Sequence, residues 1–557
     1  MKSYIAKPAD IDRKWYVIDA EGKTAAEARI AVSTSIRADR PHGGIVVKHT
    51  LKDSQGKEIA TSRAQMNGSN ETEQLLVVKD IKLWSPESPV LYSLVTEVEN
   101  EGRTVDIQEI KTGIRKIEYT EEGFRLNGQL RKFKGVCLHH DLGPLGAAFH
   151  PDAFRRQVRL LKEMGSDAIR TSHNCPNPQQ LEICDEEGMM VMAESFDAWL
   201  SPKCKNDYSQ HFAERFGSDM TNIVLSCRNH PSVVMWSIGN EIPDQGTSVG
   251  LRTARILQDI CHRLDGTRPV TLGIDMPTEA IRSGVLQEMD VAGLNYRLHK
   301  YAEGHAAARR GLVLGTETAS TMTRRGVYHF PDRPSVKEVW TDGQCSSYAL
   351  RCGSWSNLPD DDQAVQEDNP WTMGEFVWTG FDYLGEPTPY DEFMSARSSY
   401  FGIFDLAGLP KDSFWFYRSR WRKDSPTLHV LPHWTWPGRE GQVTPVYVYT
   451  SYPAAELFVN GKSCGKRSFD RTSRLDRYRL RWQDVVYEPG AGQAERTVAL
   501  AGGTAVLVRD LAEEKHRAEE VEAALADCET WREGRLDWAI DDPAAALSAL
   551  SAVRGLG

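Results

Sequence analysis

The chain lacks the features that would direct it to a membrane or to a nucleic acid. No run of apolar residues approaches the length of a membrane-spanning helix. The formal net charge is −11, which leaves no basic excess to bind a phosphate backbone or an anionic membrane surface. We therefore expect no nucleic-acid partner and no membrane association.

Cysteine occurs without any recognisable spacing. The ten cysteines include no CxxC pair and no arrangement typical of metal ligands. Cys137 and Cys184 fall inside a predicted strand and a predicted helix, where cysteine usually serves as a small buried side chain. The pattern predicts a reduced protein without a disulfide framework.

At 557 residues the chain is too long for a single hydrophobic core, so several domains are expected. Residues 1–115 hold short strand candidates separated by Pro, Gly, Asn and Ser, a spacing typical of an immunoglobulin-like β-sandwich. The candidates are 26–38, 44–53, 74–82 and 90–99. The dipeptide Asn127-Gly128 then predicts the tight turn of a hairpin over 123–134.

Residues 116–425 change to a repeated alternation of strand and helix. Phe154, Val158, Leu161 and Met164 mark an apolar stripe at helical spacing. Eight strands alternating with helices fit a closed (β/α)8 barrel better than an open sheet. The eight strand candidates are 133–138, 168–171, 190–194, 233–238, 269–272, 291–295, 312–316 and 375–379.

Three further segments complete the predicted organisation. Segment 318–373 is too long for a simple loop, and its Gly, Pro, Ser and Trp content predicts a folded excursion over one end of the barrel. Residues 426–503 predict a second β-sandwich, with a hairpin around Asn460-Gly461. Residues 504–557 are charged and Ala-rich, which predicts an atypical helical or disordered tail. The predicted fold class is a (β/α)8 barrel flanked by immunoglobulin-like sandwiches.

Two glutamates stand where apolar, β-branched runs stop. Glu241 closes the run Val233-Val-Met-Trp-Ser-Ile-Gly-Asn-Glu241, and Glu317 follows Leu312-Val-Leu-Gly-Thr. The C-terminal ends of barrel strands meet at the face where barrel enzymes hold their substrates. A single Glu after a strand is more often the start of a helix, but two that face one pocket supply what glycoside hydrolysis requires.

Seven stretches, in this order along the chain, resemble those of one enzyme family. They are Leu83-Trp-Ser-Pro-Glu, Gly135-Val-Cys-Leu-His-His, Ile169-Arg-Thr-Ser-His-Asn, Arg228-Asn-His-Pro, Ser237-Ile-Gly-Asn-Glu, Gly315-Thr-Glu-Thr-Ala-Ser and Glu375-Phe-Val-Trp-Thr-Gly-Phe-Asp. Over about residues 20 to 490 the sequence is similar to glycoside hydrolase family 2 and closest to its β-galactosidase members. The resemblance implies a retaining hydrolase whose barrel is flanked by β-sandwich domains.

The resemblance implies roles for the two glutamates. Glu241 matches the general acid/base, and Glu317 matches the nucleophile that forms a covalent glycosyl-enzyme. The charge of an ionised Glu317 is expected to raise the pKa of Glu241, which keeps that acid protonated until substrate binds. The cycle requires no cofactor. The stretch Glu194-Ser-Phe-Asp197 keeps a carboxylate but no nearby His, so no metal is expected either.

The resemblance also implies six residues around the sugar. Asn240 matches the residue that hydrogen-bonds the sugar 2-hydroxyl, and Trp378 matches an aromatic floor, for which a place in the barrel core is the alternative. Arg170 matches an arginine beneath the carboxylates that holds the nucleophile ionised. The other three contact sugar hydroxyls or orient the nucleophile, and they are His139, His173 and Tyr296.

The sequence departs from the family pattern in two places. Family members usually begin with a jelly-roll sugar-binding domain, whereas this chain is expected to start at or inside the first sandwich. Family β-glucuronidases carry an Asn-x-Lys pair for the substrate carboxylate, and the corresponding stretch here is Ser399-Tyr-Phe-Gly402. A neutral sugar is therefore expected, with galactose favoured and mannose or an arabinopyranoside left open.

The sequence thus predicts a retaining exo-β-galactosidase that acts on an oligosaccharide or glycoside. Two alternatives stay open: a catalytically silent, carbohydrate-binding remnant of a longer glycosidase, and an active family 2 enzyme of another specificity, a β-glucuronidase or β-mannosidase. A homo-oligomer is compatible with the sequence. The N-terminus does not resemble a signal peptide, so the chain as it stands is expected in the cytoplasm, and in the periplasm or outside the cell where a preceding domain supplied an export signal.

Overall fold

The computed structural model describes residues 15–18, 24–36, 44–334, 339–489 and 504–508. The chain divides into two compact units. The first extends to residue 432 and includes 446–451 and 469–481, and the second comprises 433–445, 452–468 and the residues from 482 onward. Within the described ranges, no helix has the length and apolar character needed to cross a bilayer.

The chain begins with two antiparallel sheets. Their seven strands are β1 (Trp15–Ile18), β2 (Thr24–Ser35), β3 (Ile45–Lys52), β4 (Glu58–Gln65), β5 (Glu71–Lys82), β6 (Tyr92–Asn100) and β7 (Arg103–Thr112). The sheet orders are β1-β2-β5 and β4-β3-β6-β7. Leu76 and Val78 of β5, spaced two apart, are buried in one core with Ile30 and Leu94, and their neighbours in the strand are exposed. This alternation is typical of a sandwich.

Three of these strands, β1, β4 and β7, are absent from the sequence-based set. Strands β4 and β7 lie at the two edges of their sheet. Most of their residues are polar, and only Thr112 at the end of β7 is buried. An edge strand buries little surface, so its sequence carries a weak hydrophobic pattern. Strands β4 and β7 therefore have little reason to be apolar, whereas β1, at an edge of the other sheet, is apolar and was not predicted.

A small antiparallel sheet leads into the barrel. Its strands are β8 (Ile117–Thr120), β9 (Gly123–Leu126) and β10 (Gln129–Arg131). The predicted Asn127-Gly128 turn joins the last two, and both residues have the positive φ that such a turn needs, 52° and 78°. Phe124 is fully buried, and its ring stacks on Phe133 at a centroid distance of 4.7 Å.

The central region is a closed barrel of eight parallel strands, as predicted. The strands are β11 (Phe133–Leu138), β12 (Ala168–Thr171), β13 (Met190–Glu194), β14 (Val233–Asn240), β15 (Val270–Ile274), β16 (Ala292–Asn295), β17 (Val313–Thr318) and β18 (Thr372–Val377). Every predicted strand is present, and the bounds differ by at most three residues. The multidomain barrel fold expected from the sequence is confirmed.

Helices surround the barrel. They are α1 (Pro151–Met164), α2 (Pro178–Glu187), α3 (Ser209–Cys227), α4 (Ser248–Leu264), α5 (Pro277–Ser283), α6 (Val285–Glu288), α7 (Tyr301–Ala307), α8 (Pro359–Asp368) and α9 (Asp412–Trp421). The predicted stripe on α1 is buried as a whole. The helix starts with a proline and ends at Gly165, whose φ of 97° is typical of a C-terminal cap.

The segment between β17 and α8 is a long excursion, as predicted. Its two ends run side by side, because Thr321 forms a bridge with Cys352 and the Gly353 amide donates to the Ser320 carbonyl over 3.0 Å. The segment therefore leaves the barrel and returns to the point where it left.

The remaining strands are β19 (Leu428–Leu431), β20 (Val446–Thr450), β21 (Ala454–Val459), β22 (Lys462–Ser468), β23 (Leu480–Trp482) and β24 (Thr504–Val508). They form sheets of order β19-β20-β23 and β22-β21-β24. The predicted hairpin turn at Asn460-Gly461 is present. Strand β24 pairs in parallel with β21, so strand structure continues past the predicted sandwich end at 503. The rest of the predicted tail, 509–557, lies outside the described residues.

Helix α8 carries two fully buried aspartates with opposite surroundings. Asp360 is paired with Arg479, whose Nε donates to Oδ1 over 2.8 Å. Asp362 has no cationic partner in the described ranges. Burial and the neighbouring Glu375 carboxyl raise the pKa of Asp362 well above its usual range, and burial raises the pKa of Glu375 to about 7. The acids Asp360 and Asp361 and the phenols Tyr301 and Tyr417 also face this pair.

We expect Glu375→Gln to remove part of the pH dependence of stability. Below pH 4.5 the carboxyl is protonated in both the folded and the unfolded chain, whereas between that pH and about 7 only the unfolded chain ionises. Wild-type stability therefore falls by about 2–4 kcal/mol across this window. Glutamine does not ionise and still accepts the Thr318 hydroxyl, which lies 2.8 Å from Oε2. Urea unfolding at pH 4.5 and 7.5 should show the variant more stable than wild type only at the higher pH.

The matched control is Asp360→Asn on the same helix. It leaves the Arg479 guanidinium buried without a counter-ion, so the free energy of unfolding should fall by about 3–5 kcal/mol at both pH values. If Glu375→Gln is less stable than wild type at both pH values, as this control should be, the Glu375 carboxyl is ionised in the folded protein. The raised pKa assigned to Glu375 is then wrong.

Candidate active site

The two predicted glutamates stand beside irregularities in the barrel. The pairing of β14 with β15 shifts register between Ser237 and Asn240, just before Glu241. The pairing of β17 with β18 shifts between Gly315 and Thr318, on either side of Glu317. Glu241 itself adopts a left-handed backbone with φ 44°. Bulges turn side chains out of the regular strand pattern, and here both carboxylates line one cavity of about 450 Å³.

Glu317 receives a donor at each carboxylate oxygen. Arg170 Nη1 donates to Oε1 over 2.7 Å, and the Tyr296 hydroxyl donates to Oε2 over 2.9 Å. Burial is the largest influence on the pKa of Glu317 and leaves it above its ordinary value, while the Arg170 charge and these hydrogen bonds act in the opposite direction. Both predicted partners of this carboxylate are in place, and they favour its ionised form.

Glu241 has a different environment. It receives a neutral donor, the Asn295 amide, whose Nδ2 lies 3.0 Å from Oε1. Burial first, and then the charges of Glu317 and Asp275, raise the pKa of Glu241 to about 7. The carboxyl is therefore protonated over the acid side of neutral pH. The same cavity thus holds one carboxyl suited to carry a negative charge and one suited to carry a proton.

Arg170 lies beneath the cavity, fully buried at the end of β12. Its Nε donates to Glu194 Oε2 over 2.7 Å, and its Nη2 donates to Asn240 Oδ1 over 2.9 Å, in addition to the contact with Glu317. The Ser237 hydroxyl also donates to Glu194, over 2.6 Å. One guanidinium thereby fixes side chains from three other barrel strands.

Asn240 has its amide orientation fixed by its donors. Its Oδ1 accepts from Arg170 and from Asn295 Nδ2, each at 2.9 Å. Its Nδ2 is then directed toward the cavity, where it lies 3.2 Å from Asp197 Oδ1. A donor at this place can bind a sugar hydroxyl oxygen, as the resemblance implies.

The two predicted histidines are neutral acceptors. His139 Nδ1 lies 3.0 Å from the Ser172 carbonyl, and His173 Nδ1 lies 2.6 Å from Glu194 Oε1, so each Nδ1 carries the proton. Burial lowers the pKa of both imidazoles, that of His173 strongly. The Nε2 atom of His139 is thus available to accept a hydrogen bond, whereas His173 Nε2 already accepts from Asn240 Nδ2 over 3.3 Å. Both rings line the cavity.

Trp378 belongs both to the barrel interior and to the cavity. Its side chain is largely buried, and its Nε1 donates to the Tyr383 hydroxyl over 3.2 Å. The ring stacks on His173 with an interplanar angle of 6°. It lines the cavity as well, so an aromatic floor and a core position are not exclusive alternatives at this residue.

All the predicted residues except Arg170 line the cavity, and Arg170 supports it from below. The sequence reasoning missed other members. Asn295 precedes Tyr296 in the quoted motif region, and Glu194 ends a predicted strand, so strand-end position could have indicated both. The other cavity residues without an assigned role are Asp197, Lys203, Asp275, Arg297, Trp355 and Glu386. Among the described residues, no group of three or more His, Cys, Asp or Glu side chains is placed to hold a metal.

Comparison with protein families matches most of the described chain. The model described as "Glycosyl hydrolases family 2, TIM barrel domain" matches residues 117–423. The model described as "Glycosyl hydrolases family 2" matches residues 10–115. A model of a domain of unknown function matches residues 441–507.

Similar proteins come from several bacteria. A β-galactosidase of Bacteroides ovatus is 37% identical over 527 residues, which cover 86% of this chain and 60% of that protein. A putative β-glucuronidase of Formosa agariphila is 34% identical over 465 residues, or 76% of this chain and 42% of that protein. The chain therefore spans 60% or less of the length of these two relatives.

A solved structure gives the same result for the fold. A β-glycosidase from Bacteroides vulgatus is 32% identical and superposes with a TM-score of 0.73, covering 87% of this chain and 62% of that one. Because the barrel model matches more than half of the chain, the protein belongs to glycosyl hydrolase family 2.

Proposed function

We propose that the protein is a retaining exo-β-galactosidase that hydrolyses terminal β-D-galactosyl residues through a covalent glycosyl-enzyme. The observation that carries the proposal is the unequal environment of the two carboxyls in one cavity. Glu317 is held by a guanidinium and a phenol, whereas Glu241 is held by an amide and has its pKa raised to about 7. Double displacement needs this division between a nucleophile and an acid.

In the first step a carboxylate oxygen of Glu317 attacks the anomeric carbon. The bond from that carbon to the leaving oxygen breaks, and Glu241 gives its proton to the leaving oxygen. The aglycone departs as an alcohol, and the sugar stays bound to Glu317 as an ester. Because Arg170 and Tyr296 already donate to this carboxylate, its position is set before substrate arrives.

In the second step the roles of Glu241 reverse. Ester formation consumes the charge on Glu317, which is one of the causes that raise the pKa of Glu241. The ionised Glu241 then takes a proton from water, whose oxygen attacks the anomeric carbon and releases Glu317 as a carboxylate. Asn240 donates from the cavity wall in both steps, and the neutral His139 accepts from a sugar hydroxyl. His173 Nε2 accepts from the sugar once Asn240 Nδ2 turns from it to the substrate.

The cationic side chains near the cavity support a neutral sugar. Lys411 does not line the cavity, and its Nζ is buried on Asp382 at 2.8 Å. Lys203 Nζ is paired with Asp197 at 2.7 Å, and Arg297 donates to the carbonyls of Asp275 and Trp355. Each of these cations already has a partner in the protein. The carboxylate of a hexuronate would therefore lack a cation to pair with among the described residues. The name of the Bacteroides ovatus relative favours galactose among neutral sugars.

A β-glucuronidase is the second candidate, because the similar Formosa agariphila protein carries that description. A panel of aryl glycosides separates the candidates. We expect the aryl β-galactoside to give a kcat/KM at least about tenfold above those of the aryl β-glucuronide, β-mannoside and α-arabinopyranoside, since an unpaired buried carboxylate or a misplaced hydroxyl costs more than 1 kcal/mol. A glucuronide preference would overturn the galactosidase proposal, and no turnover on any member would favour a binding remnant.

Glu317→Gln should abolish turnover, because an amide cannot form the glycosyl ester. We expect a loss of at least about 10⁴-fold in kcat for an aryl β-galactoside. A 2-fluoro galactoside inactivator should label Glu317 of the wild type, as read by peptide mass spectrometry. Labelling of another residue with Glu317 unmodified would show that the nucleophile is misassigned.

Glu241→Ala should separate the two steps. A substrate with a good leaving group needs little protonation, so its first step should survive while hydrolysis of the ester stalls. Added azide should restore turnover and give the β-galactosyl azide. An α-azide, or no effect of azide, would contradict the acid/base role.

The pH profile offers a separate check on Glu241. Because this acid must be protonated for the first step, wild-type kcat/KM should fall as the pH rises through about 7. In Glu241→Ala this alkaline limb should disappear for a substrate with a good leaving group. A limb that remains in the variant must come from another group.

A further inference from the structure

Trp355 lines the cavity, but the mechanism above gives it no part. The residue lies on the excursion between β17 and α8. The bridge between Thr321 and Cys352, with the hydrogen bond from Gly353 to Ser320, brings this part of the chain back to the end of β17. Trp355 is thereby placed close to the segment that carries Glu317.

A chain of three hydrogen bonds joins the Trp355 indole to the Glu317 carboxylate. Trp355 Nε1 donates to Ser320 Oγ over 3.3 Å, and Ser320 Oγ donates to the Tyr296 hydroxyl over 2.7 Å. The Tyr296 hydroxyl then donates to Glu317 Oε2 over 2.9 Å. An indole only donates, so the protons of both hydroxyls point toward the carboxylate.

The rest of Trp355 is fixed from the other side. Arg297 Nη1 donates to the Trp355 carbonyl over 2.7 Å. Gly353 packs so closely that a Cβ there would lie 2.6 Å from the indole ring. The ring meets Phe401 edge-on at a centroid distance of 6.2 Å, and it remains partly exposed where it borders the cavity. Its orientation is therefore set before any ligand binds.

We propose that Trp355 is a positioning residue for Glu317 and an apolar wall for the bound sugar. Through Ser320 and Tyr296, its indole N–H keeps a donor directed at the nucleophile. Its ring packs against the apolar face of a glycoside. A sugar that seats on this wall also restrains the side chain that holds the nucleophile, so substrate fit and nucleophile orientation are coupled. The catalytic part of this inference rests on the proposed function, whereas the positioning part does not.

The positioning role predicts how the pKa of Glu317 changes when the hydrogen-bond chain is broken. Without the indole donor the Ser320 hydroxyl is free to turn, and the Tyr296 hydroxyl is less firmly directed at Oε2. The carboxylate then loses stabilisation of its charged form, and its pKa rises. The wall role predicts a change in substrate affinity instead. The affinity should fall when the flat ring is removed and should not depend on the indole N–H.

Three variants separate these parts. Trp355→Phe keeps a ring and removes the indole donor, Ser320→Ala breaks the chain and keeps the ring, and Trp355→Leu removes both. Trp415→Phe is the matched control, since Trp415 stacks on His429 in the α9 region and does not line the cavity. The four proteins are compared with wild type by thermal unfolding before any other measurement.

The first readout is the carboxyl carbon resonance of Glu317 in protein with 13C-labelled glutamate, assigned by its absence in Glu317→Gln. We expect its titration midpoint to rise by about half to one pH unit in Trp355→Phe, Ser320→Ala and Trp355→Leu, and to stay in place in Trp415→Phe. Unchanged midpoints in the first two variants would overturn the positioning role, and so would an equal shift in the control. This readout needs no turnover.

The second readout is the division between KM and kcat on an aryl β-galactoside. Trp355→Phe and Ser320→Ala should lower kcat with KM within about twofold of wild type, whereas Trp355→Leu should also raise KM by about three- to tenfold. An unchanged KM in Trp355→Leu would contradict the role of the Trp355 ring as a wall for the sugar. A wild-type protein inactive on every glycoside would overturn the proposed function alone, because the resonance of Glu317 decides the positioning role independently.

Discussion

The catalytic face of the barrel depends on one buried cation. Arg170 has no contact with solvent, and its guanidinium is shared between the carboxylates of Glu194 and Glu317. A guanidinium moved from water into a protein interior is stable only where anions and acceptors surround it. The cost of leaving it unpaired therefore holds strands β12, β13 and β17 in one mutual register. The contacts that orient the Glu317 carboxylate are therefore also the contacts that compensate the buried guanidinium in the folded barrel.

The same cation orders the neutral groups. Its charge helps to keep His173 unprotonated, and its Nη2 fixes the direction of the Asn240 amide. Arg170 thus donates hydrogen bonds to carboxylate and amide oxygens, and these groups in turn orient the atoms that border the cavity. Among the described residues, Glu241 meets this network only through the neutral Asn295 amide, so Arg170 donates no hydrogen bond to offset the burial that raises its pKa. Two chemically identical side chains acquire different behaviour because only one of them touches the cation.

Much of this arrangement could be predicted from the sequence, for identifiable reasons. Barrel strands are buried on both sides, so their apolar runs are long and end abruptly at polar residues such as Glu241 and Glu317. Each of the two hairpin turns depends on one Asn-Gly pair, so the local sequence is enough to predict it. The edge strands β4 and β7 were missed because little of their surface is buried. Trp355 was missed for another reason: its place depends on how the segment 319–358 folds back on itself, and no local pattern encodes that return.

The cavity is built from a short list of neighbours along the chain. Every described residue that lines it falls between His139 and Glu386, from the loop after the first barrel strand to the loop after the last. Its walls, including the tryptophan on the excursion, are therefore supplied by a single continuous segment. Because no described lining residue belongs to the sheets before β11 or to the strands after β18, a substitution in those sheets can alter the cavity only by displacing the barrel residues themselves.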